Sequence, residues 1–205
     1  MNQKDLRHKI IELCLEMNRS GLNQGTSGNI SARYKNSMLI TPSGIPYNKL
    51  KPKHLAKLSL KDDRLEWKGP CKPSSEWHFH RSLLSTRPEF NAVVHTHSTF
   101  ATTLSVSRKS IPACHYMVAA FGGNNVNCAE YATFGTPELT KNILLAMNNR
   151  SACLMANHGM LVAGKDLDHA MWTAIELETL ARQYYFASQS GGMVLLPDSE
   201  MKTVL

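Results

Sequence analysis

Apolar residues at positions 6, 10, 13, 14 and 17 recur at the helical period between Asp5 and Ser20, and the run stops at Gly21. That spacing predicts a first helix. A loop of small residues follows over 23–29, with many backbone amides available to a ligand. Ile30 to Arg33 and Met38 to Ile40 read as strands joined by a polar turn, a hairpin. Thr41-Pro42-Ser43-Gly44 makes a second small-residue turn. Leu55 to Leu60 and Arg64 to Trp67, separated by Lys61-Asp62-Asp63, predict another hairpin.

Further along, helices alternate with strands. Ser74 or Ser75 is placed to cap a helix running to about Thr86, because the residue before Pro88 is pushed out of helical geometry. Ala92-Val93-Val94-His95 suits a buried strand, and a short helix follows Ser98. Residues 111–134 carry no clear period. Thr136-Pro137-Glu138 is a cap followed by proline, the start of a helix to about Met147. Cys153 to Ala156 and Met160 to Ala163 predict strands on either side of His158, and Asp166 caps a last long helix through about Ser188. Hairpins early and strand–helix alternation late imply an α/β fold with one mixed sheet and helices packed on it. No dinucleotide or nucleoside-triphosphate glycine signature occurs.

The whole chain, 205 residues with 42% hydrophobic content, is sized for a single domain over 1–205 with one good core. No apolar run approaches the ~20 residues that span a bilayer. The polar N-terminus does not lead into a signal-peptide core. Five scattered cysteines (14, 71, 114, 128 and 153) without a Cys-x-x-Cys pair argue for reduced thiols and a cytoplasmic location. The net charge of +7 is uneven: residues 1–72 hold 14 Lys or Arg against 6 Asp or Glu, and the rest hold 9 against 10. The lysines have no interleaved aromatics and match no recognition helix, so nucleic acid is not the expected partner. A solvated basic surface, or a field that draws in a small anion, accounts for them.

Chemistry concentrates at Val94-His95-Thr96-His97. Strand side chains alternate faces, so His95 and His97 point the same way, and two such imidazoles make half of a metal site. Asn157-His158-Gly159 interrupts an apolar run and supplies a candidate third imidazole. Glu76 adds a carboxylate. Three histidines and a carboxylate hold zinc tetrahedrally, with an exchangeable position for catalysis. His80, four residues from Glu76 on one helix face, is the rival for the third position. Gly28-Asn29, Ser43-Gly44 and Ser74-Ser75 offer amides and hydroxyls, the last pair opening a helix, so they are either an anion site or ordinary surface turns. A phosphate beside a three-histidine metal points to a phosphorylated sugar.

With residues 21–29 and 39–47, Pro73-Ser74-Ser75-Glu76-Trp77, Val94-His95-Thr96-His97, residues 111–117 and 131–136, and His158-Gly159, the chain resembles the class II aldolase/adducin family over nearly its whole length. The resemblance implies a three-layer α/β/α sandwich with a mixed, largely antiparallel central sheet. It also implies a homotetramer with active sites at subunit boundaries, and no membrane partner. By position, His95, His97, His158 and Glu76 are the implied ligands of one zinc ion per subunit, and Glu76 is also the catalytic acid/base. Gly28, Asn29, Ser43, Gly44, Ser74 and Ser75 are implied to hold the substrate phosphate. Tyr116, reaching in from a neighbouring subunit, is implied to handle the proton on the aldehyde oxygen. The implied reaction cleaves a ketose 1-phosphate, such as L-fuculose 1-phosphate, reversibly to dihydroxyacetone phosphate and a short aldehyde such as L-lactaldehyde.

Other members of the family act on 5-deoxyribulose 1-phosphate, or are phosphosugar 4-epimerases or decarboxylases. The epimerases carry Ser-Ser-Asp where this chain has Ser74-Ser75-Glu76. Adducin-like scaffolds lose the metal ligands that this chain retains. Relatives also carry a longer C-terminal tail over the site, whereas the sequence here ends at Leu205, which leaves the aldehyde preference open.

Overall fold

The computed structural model describes residues 1–62 and 66–205. Helix α1 (Gln3–Arg19) buries Leu6, Ile10, Leu13, Cys14 and Met17, the five positions of the apolar period. The Asn2 side chain, which the pattern does not reveal, accepts from the Asp5 N–H and caps it. Strands β1 (Asn29–Tyr34) and β2 (Ser37–Ile40) form the first predicted hairpin, with Ser31 opposite Ile40. Strand β3 (Ala56–Ser59) pairs with a short β4 (Trp67–Lys68). The Arg64–Leu65 part of the second predicted hairpin lies outside the described residues.

Helix α2 (Trp77–Thr86) departs from expectation at its start: the residue at its N-cap is Glu76, not Ser74 or Ser75. Ser74 and Ser75 belong instead to a turn in which the Ser74 carbonyl accepts from the Trp77 N–H and its hydroxyl oxygen from the Glu76 N–H. Strand β5 (Ala92–Thr96) is buried throughout, and α3 (Thr99–Val106) follows it. The unassigned stretch contains a 3₁₀ helix over Tyr116–Phe121 and a short β6 (Cys128–Ala129). Helix α4 (Pro137–Ala146) is capped by Thr136 and α5 (Leu167–Gln189) by Asp166, as their sequences dictate. Strands β7 (Ala152–Met155) and β8 (Gly159–Gly164) flank His158. A final helix α6 (Asp198–Val204), too short for a periodic signal, buries Met201.

The strands form one eight-stranded sheet in the order β4-β3-β2-β1-β5-β8-β7-β6. Only the β6–β7 pair is parallel, so the sheet is mixed and largely antiparallel. Alternation along β5 sends Ala92 and Val94 into a core with α1 and α5, and Val93 into a second core with α2 and α4. Helices therefore cover both faces, and the fold is the three-layer sandwich that the resemblance implied. His95 shares the Val93 face and so points toward α2. Among the described residues no helix is long and apolar enough to cross a membrane.

Candidate metal centre

Two glycines let neighbouring backbone close on the end of β5. A Cβ on Gly28 would lie 2.7 Å from the His95 carbonyl oxygen, and one on Gly159 would lie 2.5 Å from that of Thr96. Any larger residue would force β1 or the β7–β8 turn away from the histidines. In that turn Asn157 takes the left-handed conformation, with φ 53°, and its carbonyl-side neighbour His158 is brought over β5. Asn157 Oδ1 accepts from Arg108 Nε at 2.9 Å, which steadies it.

His95, His97 and His158 converge. Their ring centroids lie 4.9, 4.9 and 5.0 Å apart, and each pair of planes is inclined at 74–76°. His95 is fully buried, and its Nδ1 lies 2.8 Å from the Met160 carbonyl oxygen. A carbonyl only accepts, so Nδ1 carries the proton and Nε2 faces the cluster with a lone pair. His95 Nε2 lies 3.1 Å from His97 Nε2 and 3.3 Å from Glu76 Oε2, and His158 Nε2 lies 3.0 Å from Glu76 Oε1. Glu76 Oε1 is buried, and the His158 ring nitrogen is its close polar neighbour.

These donors fit a metal ion. Lone pairs crowded at such separations repel unless a cation lies between them, and a tetrahedral ion with ~2.0 Å bonds has ligand–ligand edges of ~3.3 Å. Burial drives the His95 pKa down to about 4, so the ring is neutral and ready to ligate at physiological pH. Burial also lowers that of His97. Burial would raise the Glu76 carboxyl, but His95, His158 and the Asn29 amide outweigh it and hold Glu76 ionised, below the usual carboxylate range.

His80 is not part of the cluster. Its Nε2 lies 2.5 Å from Asn29 Oδ1 and its Nδ1 lies 2.8 Å from Ser31 Oγ, so both nitrogens are occupied. Position on the helix made it a rival ligand; the sheet in front of it removed it. Asn29 Nδ2 in turn donates to Glu76 Oε2 at 2.8 Å.

A hollow of about 330 Å³ opens beside the cluster, lined by Glu76, His97 and His158 together with Gly28, Ser43, Gly44, Ser74 and Ser75. Of the six residues expected at a phosphate, five line it; Asn29 lies behind Glu76, with one amide proton left for a ligand. Thr26, Ser27 and Phe134 also line it and were not singled out by sequence, although Thr26 and Ser27 fall in the small-residue loop. A somewhat larger hollow of about 390 Å³ between the end of α1, α3 and α5 shares no residue with the imidazoles, so the chemistry favours the smaller one. Tyr116 is 54% exposed and lines neither. Glu178, another residue that sequence did not reveal, accepts from the Ser98 hydroxyl at 2.6 Å and from the Phe100 and Ala101 N–H groups, fixing the chain as it leaves His97.

Residues 8–185 match the family described as Class II Aldolase and Adducin N-terminal domain. The chain belongs to the class II aldolase and adducin family. It is 46% identical over 206 residues to L-fuculose phosphate aldolase of Escherichia coli strain K12, covering 100% of this chain and 94% of that protein. It is also 46% identical over 200 residues to 5-methylthioribulose-1-phosphate/5-deoxyribulose-1-phosphate aldolase of Rhodospirillum rubrum, covering 98% and 89%. A solved L-fuculose 1-phosphate aldolase superposes with a TM-score of 0.93 at 38% identity, covering 100% of this chain and 96% of that one. These relatives bear out the expectation of an aldolase, an aldehyde-lyase of this family.

Proposed function

We propose that this chain is a zinc-dependent aldolase that cleaves a ketose 1-phosphate reversibly to dihydroxyacetone phosphate and a short aldehyde. One observation carries the reading: the Glu76 carboxylate and a three-imidazole cluster, two rings of which line the same hollow, stand beside hydroxyls and small-residue backbone. His95, His97 and His158 would hold the zinc, one ion per subunit, with Glu76 as a fourth ligand before substrate enters. When bound, that ion supplies Lewis-acid stabilisation of the enolate charge left as a carbon–carbon bond beside a ketone breaks.

The protein's own groups supply the rest. Gly28, Ser43, Gly44, Ser74 and Ser75 hold the phosphate through hydroxyls and backbone amides, and Asn29 adds its second amide proton. Phosphate binding orients the C3–C4 bond against Glu76. The C4 hydroxyl releases its proton as the aldehyde forms, the Glu76 carboxylate takes up a proton in the same turnover, and Glu76 then delivers it to the C3 carbon of the three-carbon fragment, so one proton leaves oxygen and one reaches carbon. The sum needs no co-reactant. Glu76 is suited to this because it is held as a carboxylate in a nearly dry position, able to take up a proton and release it.

Tyr116 stands exposed on the 3₁₀ segment, away from its own hollow. In the proposed homotetramer a neighbour's Tyr116 reaches the site and handles the aldehyde-oxygen proton. Five cysteines without a disulfide among the described residues support a cytoplasmic location.

L-Fuculose 1-phosphate is the leading substrate. Equal identity to the fuculose-phosphate and the methylthioribulose-phosphate enzymes makes 5-deoxyribulose 1-phosphate and its methylthio analogue the second reading. A coupled assay of dihydroxyacetone phosphate release across these ketose 1-phosphates decides between them. Release from none of them would refute the proposal.

A further inference from the structure

Behind Glu76 runs a buried chain of four polar side chains. Asn29 and Ser31, two apart on β1, share one face of the strand; Glu76 at the N-cap of α2 and His80 in its first turn both face that strand. The relative exposures of Asn29, Ser31 and His80 are 3%, 0% and 0%, and none of the three lines the hollow, so no solvent is on hand there to satisfy a lost bond. Every proton in the chain has a direction. The Glu76 carboxylate only accepts, so the Asn29 NH₂ group faces it at 2.8 Å. Asn29 Oδ1 therefore faces His80 Nε2, which must carry the proton across their 2.5 Å contact. His80 Nδ1 is then bare and accepts from the Ser31 hydroxyl at 2.8 Å.

An amide has nearly the same shape in both orientations, so close packing alone does not select one; its partners do. We propose that His80, with Ser31, is a positioning residue that locks the Asn29 amide with its NH₂ group toward Glu76 and so tethers one carboxylate oxygen. The two oxygens of Glu76 become unequal. Oε2 is held by the Asn29 amide, whereas Oε1 has no amide or hydroxyl donor and lies 3.0 Å from His158 Nε2, a nitrogen that the proposed metal would take. Oε1 is the atom left to exchange a proton with substrate, and Oε2 fixes where it does so. The inference rests on the proposed acid/base role of Glu76, but the lock itself is a statement about four side chains. Reversing it would require a new His80 tautomer, a rotated hydroxyl and a flipped amide together, inside the core.

The test has one arm that needs no turnover. In the zinc-loaded protein with ¹⁵N-labelled histidine, long-range proton–nitrogen correlations should show His80 as a neutral ring protonated at Nε2. A ring protonated at Nδ1 would overturn the lock, whatever reaction the enzyme performs. In the kinetic arm, His80→Phe keeps an aromatic shape but no donor, and His80→Gln restores an N–H near the Nε2 position. His80→Phe should keep its zinc and a near-normal KM while kcat falls about 10–100-fold, the usual effect of losing a partner that orients a site group. His80→Gln should recover most of that loss. A His80→Phe enzyme with wild-type kcat, or a His80→Gln enzyme no better than His80→Phe, would contradict the proposal. If His80→Phe does not fold, the tautomer and His80→Gln still decide. Absence of ketose-phosphate cleavage in the wild type would sink the aldolase reading and leave the tautomer result standing.

Discussion

The His95 Nδ1 nitrogen lies 2.8 Å from the Met160 carbonyl oxygen, and this one hydrogen bond determines which side of the ring faces the cluster. Met160 is reached because β5 and β8 pair with Thr96 opposite Met160. The orientation of a ligand thus derives from sheet register, and a one-residue slip would turn the ring to the other face.

The three imidazoles are expected to be the indispensable ligands. His95→Ala, His97→Ala and His158→Ala should each lose bound metal, whereas His80→Ala should retain it, because both His80 nitrogens are already bonded to Asn29 and Ser31. Metal analysis of the purified variants reads this directly. Stoichiometric zinc in His158→Ala would overturn the assignment.

The hollow beside Glu76 is expected to bind an anion. Inorganic phosphate should compete with substrate, and Ser75→Ala should raise KM more than it lowers kcat, the pattern of an interaction shared by ground and transition states. Turnover of the dephosphorylated ketose at the same efficiency would remove phosphate from the account.

Assembly has its own test. Glu76→Gln and Tyr116→Phe protomers, each inactive alone, should regain activity after subunit exchange if Tyr116 acts across a boundary, because some sites then hold both intact groups. Mixed oligomers without recovery would place Tyr116 outside the neighbour's site.

Acid should destabilise the metal-free protein. Burial depresses the pKa of His95 to about 4 and that of His80 to about 3, from an ordinary imidazole value of 6.5. Below 6.5 the unfolded chain takes up protons that the folded state refuses, so stability is full above that pH and falls as pH drops toward the folded values. By pH 5 the loss is on the order of 2 kcal/mol per ring. Glu76, held ionised in the fold, adds to the loss below about 4.5, its ordinary value. Melting temperatures of the chelated protein should decline from pH 7 to pH 5; a flat profile would show that these rings are not buried neutral.

Much of this was legible in the chain because it is local. The period of α1 named its five buried residues, and alternation along β5 placed His95 and His97 on one side. Asn157 and Gly159 marked the turn that carries His158. The partners of these groups were not legible, because they join elements far apart in sequence. Asn29 and His80 meet only when α2 lies on β1, across 51 residues. Residues 116–121 have a 3₁₀ helix too short to show a period, and α6 is shorter than two full turns of reliable signal. Glu76 was read as a side chain inside a capped helix; it occupies the cap itself, with its carboxylate within 3.3 Å of His95 and His158.

In the proposed reaction Glu76 moves a proton at carbon, beyond serving as a ligand. Glu76→Gln keeps the shape and one oxygen donor but cannot take a proton at neutral pH. Dihydroxyacetone phosphate incubated in D₂O reports enolisation separately from bond cleavage, through hydrogen exchange at its hydroxymethyl carbon. The wild type should exchange without any aldehyde present. Glu76→Gln, with zinc still bound by the three histidines, should exchange about 10²–10⁴-fold more slowly, the usual effect of removing a positioned acid/base group. Exchange at the wild-type rate in a zinc-replete Glu76→Gln enzyme would contradict the account and leave Glu76 a ligand only.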